Sequence, residues 1–175
     1  MTNAARHGIL KAVHHLRKTG ETGRKKTGAL LLVLLLLAGV ACASEVAREA
    51  FAGGFSLDIP AAWARYEPTA EDLEEGICWA AGDGDALEVR VYQYAGEDMT
   101  AQQLYEEFVS DGERYDVRLG AVGETRVVAY RLGEEMLGIA LPGTDGCYYD
   151  VRFIYDGDLA MVRAVEIVNT LLPVV

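Results

Sequence analysis

The side chains that act as catalytic bases or nucleophile partners in most enzymes are confined to the beginning of this chain. The three histidines are at positions 7, 14 and 15, and every lysine lies between Lys11 and Lys26. After residue 43 the only cationic side chains are arginines, which stay protonated and cannot act as ordinary bases. The sequence therefore excludes, for this part, a Ser-His-Asp triad, a Cys-His pair, a Ser-Lys dyad, a Schiff-base lysine and histidine-ligated zinc.

After these exclusions, the carboxylates are the side chains that could still act as catalytic groups or metal ligands. The acids from Glu71 to Glu75 and from Asp83 to Glu88 could offer oxygen ligands to calcium, but neither set has EF-hand spacing, and turns and a helix start explain both. Two carboxyls about 5 to 9 Å apart, one with a raised pKa, could hydrolyse a glycoside. No flanking pattern singles out such a pair among the many acids. We therefore predict no catalytic residue, no metal ligand and no cofactor.

Tyrosines and arginines alternate with apolar residues on two predicted strands. Such alternation places them together on one face of a sheet, and tyrosine and arginine are residues that binding hot spots favour. The predicted binding surface consists of Arg90, Tyr92, Tyr94, Tyr148 and Arg152. The competing interpretation is that Glu88 and Asp150 pair with the arginines while the tyrosines cover a second layer of helix.

Two cysteines, Cys78 and Cys147, follow Cys42. Each lies in a strand-like run, and an even pair suits an oxidising compartment. We predict a disulfide between neighbouring strands, which requires Cα atoms within about 6 Å of each other. The alternative is a pair of buried free thiols.

The first 43 residues have the pattern of a signal peptide. A basic n-region, residues 1–28, precedes an apolar h-region, residues 29–41, which is shorter than the ~20 residues that a membrane-spanning helix needs. Cleavage after Ala43 would release a secreted protein, whereas a lipid on Cys42 would anchor it, since Gly39 to Cys42 is similar to a bacterial lipobox. An uncleaved leader is the third alternative. All three predict an extracytoplasmic domain.

Charge divides the chain at the same place. The leader has seven basic residues against one acid, and the remainder has nine arginines against 26 acids, a formal charge of −17. A field of that sign repels nucleic-acid phosphates and anionic lipid headgroups. We therefore predict no nucleic-acid partner.

The organisation after the leader predicts a tether, residues 44–54, and one α+β domain, residues 55–175. Hydrophobic alternation and turn signals predict strands at 55–59, 76–81, 86–94, 115–122, 124–132, 136–141 and 147–155. A capping box beginning at Thr100 predicts a helix over 100–111, and Asp158 is the predicted cap of a closing helix, Leu159 to Leu172. This order predicts a largely antiparallel sheet of six or seven strands with two main helices packed on it.

The layout resembles that of the PsbP/Mog1-like group, which includes small bacterial lipoproteins. The similar positions are framework residues in Phe55-Ser-Leu-Asp-Ile-Pro60-Ala-Ala-Trp63, the mid-chain helix, Val128-Ala-Tyr-Arg131 and Val165-Glu-Ile-Val-Asn-Thr-Leu-Leu172. The resemblance implies a protein-binding role without a shared catalytic centre, and it assigns no functional residue.

Together these patterns predict a non-enzymatic binding or accessory module that is tethered to the cell envelope and binds another protein there. The main alternative is a carboxylate-dependent hydrolase, with or without calcium, and the second is a structural envelope protein. A shallow Tyr/Arg surface favours binding, whereas a deep cleft with two facing acids favours hydrolysis.

Overall fold

A large antiparallel sheet is the centre of the fold. The computed structural model describes residues 45–96 and 99–174. In this part of the chain the strands are β1 Val46–Phe51, β2 Phe55–Pro60, β3 Ala64–Tyr66, β4 Ile77–Gly82, β5 Leu87–Ala95, β6 Tyr115–Val122, β7 Thr125–Arg131, β8 Met136–Pro142, β9 Cys147–Tyr155 and β10 Leu172–Pro173. The helices are α1 Ala70–Glu74, α2 Ala101–Asp111 and α3 Gly157–Val168.

Seven of these strands form the large sheet, in the order β3, β4, β5, β9, β8, β7, β6. Each neighbouring pair is antiparallel. Strands β6 to β9 follow one another along the chain and are neighbours in the sheet, and β5 pairs with β9. The predicted α+β class, with an antiparallel sheet and helices packed on it, is confirmed.

The core lies between one face of the large sheet and a layer made of α3 and β2. Leu87, Val89 and Val91 of β5 lie on this face, the core face, and all three are buried. Helix α3 packs against β2, β5 and β9. Phe55 of β2 contacts Tyr149 of β9, with 5.2 Å between the ring centroids. Each large apolar side chain buried here contributes about 1.5–3 kcal/mol.

Helix α2 packs on the opposite face of the sheet, against β6, β7 and β8. It begins with the predicted capping box, because Thr100 and Gln103 each bind the backbone N–H of the other. It ends at Gly112, whose φ of 72° is a left-handed conformation that glycine adopts without strain. The buried cluster beneath the helix consists of Leu104, Phe108, Val128, Tyr130 and Ala140.

The prediction that residues 44–54 form a tether is wrong for most of that segment. Residues Val46–Phe51 form β1, which pairs with β2 in a second, three-stranded sheet of order β1-β2-β10. Arg48 of β1 pairs with Asp58 of β2 at 2.7 Å. Side chains in β1 alternate between exposed and half-buried, and none of them is fully buried. The sequence of the strand therefore lacks the apolar/polar alternation that predicts a strand with one buried face.

The closing helix differs from the prediction at both ends. Its N-cap is Asp156 rather than Asp158, and the Asp156 side chain makes no capping hydrogen bond. The helix stops at Val168, and residues Leu172–Pro173 form β10 instead of a last helical turn. The threonine between them, Thr170, accepts a hydrogen bond from the backbone N–H of Asp58 at 2.8 Å. Contacts with a strand more than a hundred residues away therefore end the helix early.

Cys78 and Cys147 are free thiols, so the predicted disulfide is wrong for this structure. Cys78 lies on β4 and Cys147 on β9, and β5 lies between these strands. Adjacent strands are about 4.8 Å apart, so two strands with a third between them exceed the span of a disulfide. The sulfur atoms have separate partners instead, the Val91 carbonyl at 3.3 Å and the Gln93 amide at 3.4 Å.

Candidate functional site

The residues of the predicted binding surface come together on the face of the sheet opposite the core face. Across β5 and β9, Arg90 lies opposite Arg152 and Tyr94 lies opposite Tyr148. Tyr92, on the same face, lies opposite Asp150. We call this set, Arg90, Tyr92, Tyr94, Tyr148 and Arg152, the Tyr/Arg face.

The aromatic rings of the Tyr/Arg face form a continuous row. The rings of Tyr92 and Tyr94 are stacked with centroids 6.0 Å apart, and those of Tyr94 and Tyr148 are 5.1 Å apart. The Arg152 guanidinium lies over Tyr92, with its Cζ 4.0 Å from the ring centroid. Such a cation–π contact contributes on the order of 1 kcal/mol and holds both groups in one orientation.

Arg152 is fixed from below by a buried carboxylate. Its Nε donates to Asp150 Oδ2 at 2.9 Å, and its Nη2 donates to the Tyr94 hydroxyl at 3.3 Å. The Asp150 side chain is fully buried, with 0% exposure. It also accepts a hydrogen bond from the Tyr130 hydroxyl at 2.6 Å. Burial, and then the charge of Asp150, raises the pKa of Tyr130 well above its usual range, so this phenol remains a donor.

A second arginine lies on the other side of Tyr130. The guanidinium of Arg114 lies over the ring of Phe108, with its Cζ 3.9 Å from the centroid, and also contacts the ring of Tyr130. It pairs with Asp111 at the end of α2. Sequence reasoning missed Tyr130 and Arg114 as supports of the surface. Period-two alternation in β7 places Tyr130 on this face, but no sequence signal brings a loop arginine to it.

The Tyr/Arg face contains a largely buried part, which supports the surface from below, and a part that is accessible to solvent. Tyr92 is 7% exposed and the Arg152 side chain is 17% exposed, so both belong to the support. Tyr94, Tyr148 and Arg90 are half-buried and reach solvent. Helix α1 packs on β4 and helix α2 on β6 to β8. The accessible residues therefore lie on β5 and β9, between the two helices.

Both proposed pairings of the competing interpretation are present. Glu88 binds Arg90 Nε at 2.6 Å, and Asp150 binds Arg152. Tyr148 also packs against the buried cluster under α2. The pairs lower the net positive charge of the surface, but they leave the tyrosine row partly open to solvent. The surface is thus an aromatic strip with anchored guanidinium groups rather than a cationic patch.

A cavity of about 330 Å³ opens near the β4–β5 hairpin, at the end of the sheet. Its lining includes the carboxylates of Asp85, Glu88, Glu135 and Asp156 together with the Tyr66 ring. In the described residues, no group of three or more His, Cys, Asp or Glu side chains is arranged to hold a metal ion.

Among residues 45–96 and 99–174, the carboxyl groups with shifted pKa values are Asp72, Asp83, Asp111 and Asp145, and in each the pKa is lowered. Hydrogen bonds from Thr69 and from Tyr149 are the main causes at Asp72 and Asp145. Burial acts in the opposite direction at Asp83 and Asp111, but donors to these carboxylates outweigh it. A lowered pKa is the reverse of what a catalytic acid needs.

The acids proposed as calcium ligands have structural partners. Asp72 forms a capping box with Thr69 at the start of α1, as expected for an acid near a helix N-terminus. Asp83 accepts three backbone N–H groups of the β4–β5 turn and binds Arg163 Nη1 at 2.7 Å. These contacts account for both carboxylates.

Comparisons with known proteins identify the fold. No family model and no curated protein matches the sequence. A solved structure of the cyanobacterial PsbP protein (CyanoP) from Synechocystis sp. PCC 6803 matches with a TM-score of 0.53 and 15% identity. The match covers 77% of this chain and 95% of that protein.

A protein from Bacteroides thetaiotaomicron has a TM-score of 0.48 and 16% identity, over 72% of this chain and 47% of its own. The match to CyanoP shows that the domain has a PsbP-like fold, and the resemblance inferred from framework residues is confirmed at that level.

Proposed function

We propose that this protein is a non-enzymatic binding module of the cell envelope, and that its protein partner docks on the Tyr/Arg face. The observation that carries the proposal is the partly exposed row of Tyr94 and Tyr148, continued by Tyr92 under the guanidinium of Arg152. Tyrosine and arginine are enriched in binding hot spots. Tyrosine buries a large area with few freely rotating bonds, and Arg152 is already held in place by Asp150. The buried Asp150 keeps the row ordered before a partner arrives, which reduces the entropy lost on binding.

The local chemistry supports binding more than hydrolysis. In the described residues, every carboxyl with a shifted pKa is more acidic than usual. A carboxylate-dependent hydrolase needs one carboxyl that stays protonated near neutral pH. The PsbP-like fold alone does not assign a function, since one fold hosts many.

Location outside the cytoplasm is the second part of the proposal. The signal-peptide pattern of residues 1–43 supports it, and that segment lies outside the described residues. Within residues 45–96 and 99–174, no helix is both long and apolar enough to cross a bilayer. The anchor, if lipid, would be on Cys42.

Site-specific photocrosslinking in intact source cells tests the binding surface. A photoreactive phenylalanine analogue replaces Tyr94 in one variant and Leu159 in a control. Leu159 is 76% exposed and lies on α3, on the opposite side of the large sheet from the Tyr/Arg face. We expect a discrete adduct with a single protein at position 94 and none at position 159.

Adding Tyr148→Ala should weaken the adduct at position 94 by roughly tenfold or more, as expected for loss of a hot-spot tyrosine. Adducts of equal yield at both positions, or an adduct insensitive to Tyr148→Ala, would contradict the proposed surface.

A further inference from the structure

The arginines in and beside the Tyr/Arg face already have acidic partners within the chain. The salt bridges are Arg90–Glu88 at 2.6 Å, Arg152–Asp150 at 2.9 Å and Arg114–Asp111. A partner carboxylate that approached one of these guanidinium groups would also approach the carboxylate that the guanidinium binds, and like charges at an interface oppose binding. The paired arginines therefore do not select an acidic partner.

Two further carboxylates border the face, one from each helix. On the side of α1, Asp72 lines a cleft of about 140 Å³ together with Arg90 and Tyr66. On the side of α2, Glu107 lies close enough to Tyr148 for its charge to act on the phenol, since burial and then the charge of Glu107 raise the pKa of Tyr148. Among the described residues neither acid forms a salt bridge, so both charges are available to a cation.

The cavity at the β4–β5 hairpin extends this acidic border along β5. Its lining shares Tyr66 and Glu88 with the cleft that Asp72 lines. Glu88 lies on the same face of β5 as Tyr92 and Tyr94, because side chains alternate along a strand. The other carboxylates of the cavity are Asp85, Glu135 and Asp156. A chain segment that follows β5 from the tyrosine row therefore reaches these carboxylates after about 20 Å.

The tyrosine rings themselves also attract cations. Tyr94 and Tyr148 are half-buried, so both reach solvent. The negative π-face of a tyrosine attracts a lysine or arginine side chain, and the contact of Arg152 with Tyr92 shows this within the chain. Aromatic rings that are bordered by carboxylates thus offer two attractive interactions to the same cation.

The net charge of the domain acts in the same direction over a longer range. The chain after residue 43 has a formal charge of −17, which attracts a basic partner and repels a second copy of the domain. At about 0.15 M salt, charges farther away than ~8 Å are largely screened. The carboxylates beside the face therefore decide how strongly a bound segment is held.

We propose that the partner docks a basic segment on the Tyr/Arg face, with lysine or arginine side chains against the rings of Tyr94 and Tyr148 and near the carboxylates of Asp72 and Glu107. This inference rests on the proposed function and adds to it the chemistry of the partner. The charge gives specificity, because neutral and acidic segments lack the attraction to these carboxylates. A segment of about seven residues covers β5 from Tyr94 to Glu88.

Identification of the crosslinked peptide tests this inference. The adduct that forms in intact cells at position 94 is digested with a protease that does not cleave at lysine or arginine, and fragmentation locates the partner residue that carries the crosslink. We expect lysine and arginine to exceed aspartate and glutamate within about five residues on either side of it. A neutral or acidic segment would overturn the inference and leave the proposed surface in place, whereas the absence of any adduct would overturn both.

Two charge reversals in the chain with the crosslinker at position 94 test the role of the border. Glu107→Lys changes the charge beside Tyr148, and Glu166→Lys makes the same change on α3, where Glu166 is exposed on the opposite side of the large sheet. We expect roughly fivefold less adduct for Glu107→Lys, an unchanged yield for Glu166→Lys and an intermediate yield for Glu107→Gln. Equal yields from Glu107→Lys and Glu166→Lys, with both variants folded by circular dichroism, would contradict the inference.

Salt dependence provides a measurement without variants. The identified partner segment is made as a synthetic peptide, and its binding to the full chain purified from the source cells is titrated. We expect the affinity to decrease as NaCl rises from about 50 to about 500 mM, because salt screens charges at a surface. An affinity that does not change with salt would show that charge does not hold the segment.

Discussion

At the scale of single residues, the Tyr/Arg face depends on one buried charge. Asp150 joins Tyr130 on β7 to Arg152 on β9, and Arg152 in turn covers Tyr92 and binds Tyr94. A charged pair that is removed from water costs desolvation, and its geometry must be satisfied by further hydrogen bonds. Here the Tyr130 hydroxyl supplies such a bond, so the surface tyrosines are held by a network below the surface.

Removal of this carboxylate should be strongly destabilising. Asp150→Ala leaves the largely buried Arg152 without its counter-charge, and we expect a loss of about 3–5 kcal/mol in the free energy of unfolding. The matched control is Glu88→Ala, which breaks a half-exposed pair and should cost about 1 kcal/mol or less. Urea unfolding measures both, and similar losses for the two variants would show that the network does not support the face.

Loss of the phenol alone should have a smaller effect. Tyr130→Phe keeps the ring that contacts Phe108 at 5.2 Å but removes the hydroxyl that donates to Asp150. We expect a loss of about 1–3 kcal/mol, the usual cost of leaving a buried acceptor short of a donor. An unchanged midpoint in the same urea titration would indicate that water replaces the hydroxyl.

At the scale of the elements, features that depend on neighbouring residues could be predicted from the sequence, whereas features that depend on pairing between distant strands could not. Thr100 and Gln103 lie within one turn, so the capping box that starts α2 could be predicted from sequence. The end of α3 could not, because β10 forms by pairing with β2. The order β4-β5-β9 likewise depends on long-range pairing, and it is this order that separates Cys78 from Cys147.

The candidate site shows the same division. Alternation placed Arg90, Tyr92 and Tyr94 on one face correctly, since that periodicity is a property of any strand. Tyr148 and Arg152 join this face because β9 pairs with β5, and alternation within a strand does not determine which strand lies next to it. Arg114 follows α2 in a loop, where no periodicity determines the direction of a side chain.

The β4–β5 hairpin provides a test by pH. Burial acts to raise the pKa of Asp83, but backbone donors and Arg163 outweigh it and lower the pKa to about 2. A carboxyl with a lower pKa in the folded state stabilises above its unfolded pKa, and this stabilisation is lost as the pH falls through the folded value. We expect Asp83→Asn to be less stable than the unaltered protein by about 2 kcal/mol at neutral pH.

That difference should decrease between about pH 4 and pH 2, when the unaltered carboxyl becomes protonated. Thermal unfolding of both proteins across this range measures it. A difference that stays constant with pH would show that the turn depends on the shape of the side chain rather than its charge.

At the scale of the whole molecule, the uneven distribution of amines offers a direct test of export. The leader contains all the lysines, so the chain after residue 43 has no side-chain amine. Mass measurement after amine labelling of the protein from a membrane fraction therefore separates the alternatives. Cleavage before Ser44 predicts a single labelled amine, and a lipid on Cys42 predicts a mass increased by the acyl groups. Label on the lysines of an uncut chain would contradict processing at either site.

Strand β1 changes the distance at which this domain could act. With residues 44–54 as a free linker, the domain could move up to roughly 40 Å from an anchored Cys42. Because β1 begins at Val46, four residues beyond that cysteine, the permitted separation is at most about 14 Å. In an acylated form, the start of the three-stranded sheet would therefore lie within about 14 Å of the lipidated cysteine, so this end of the domain would face the membrane.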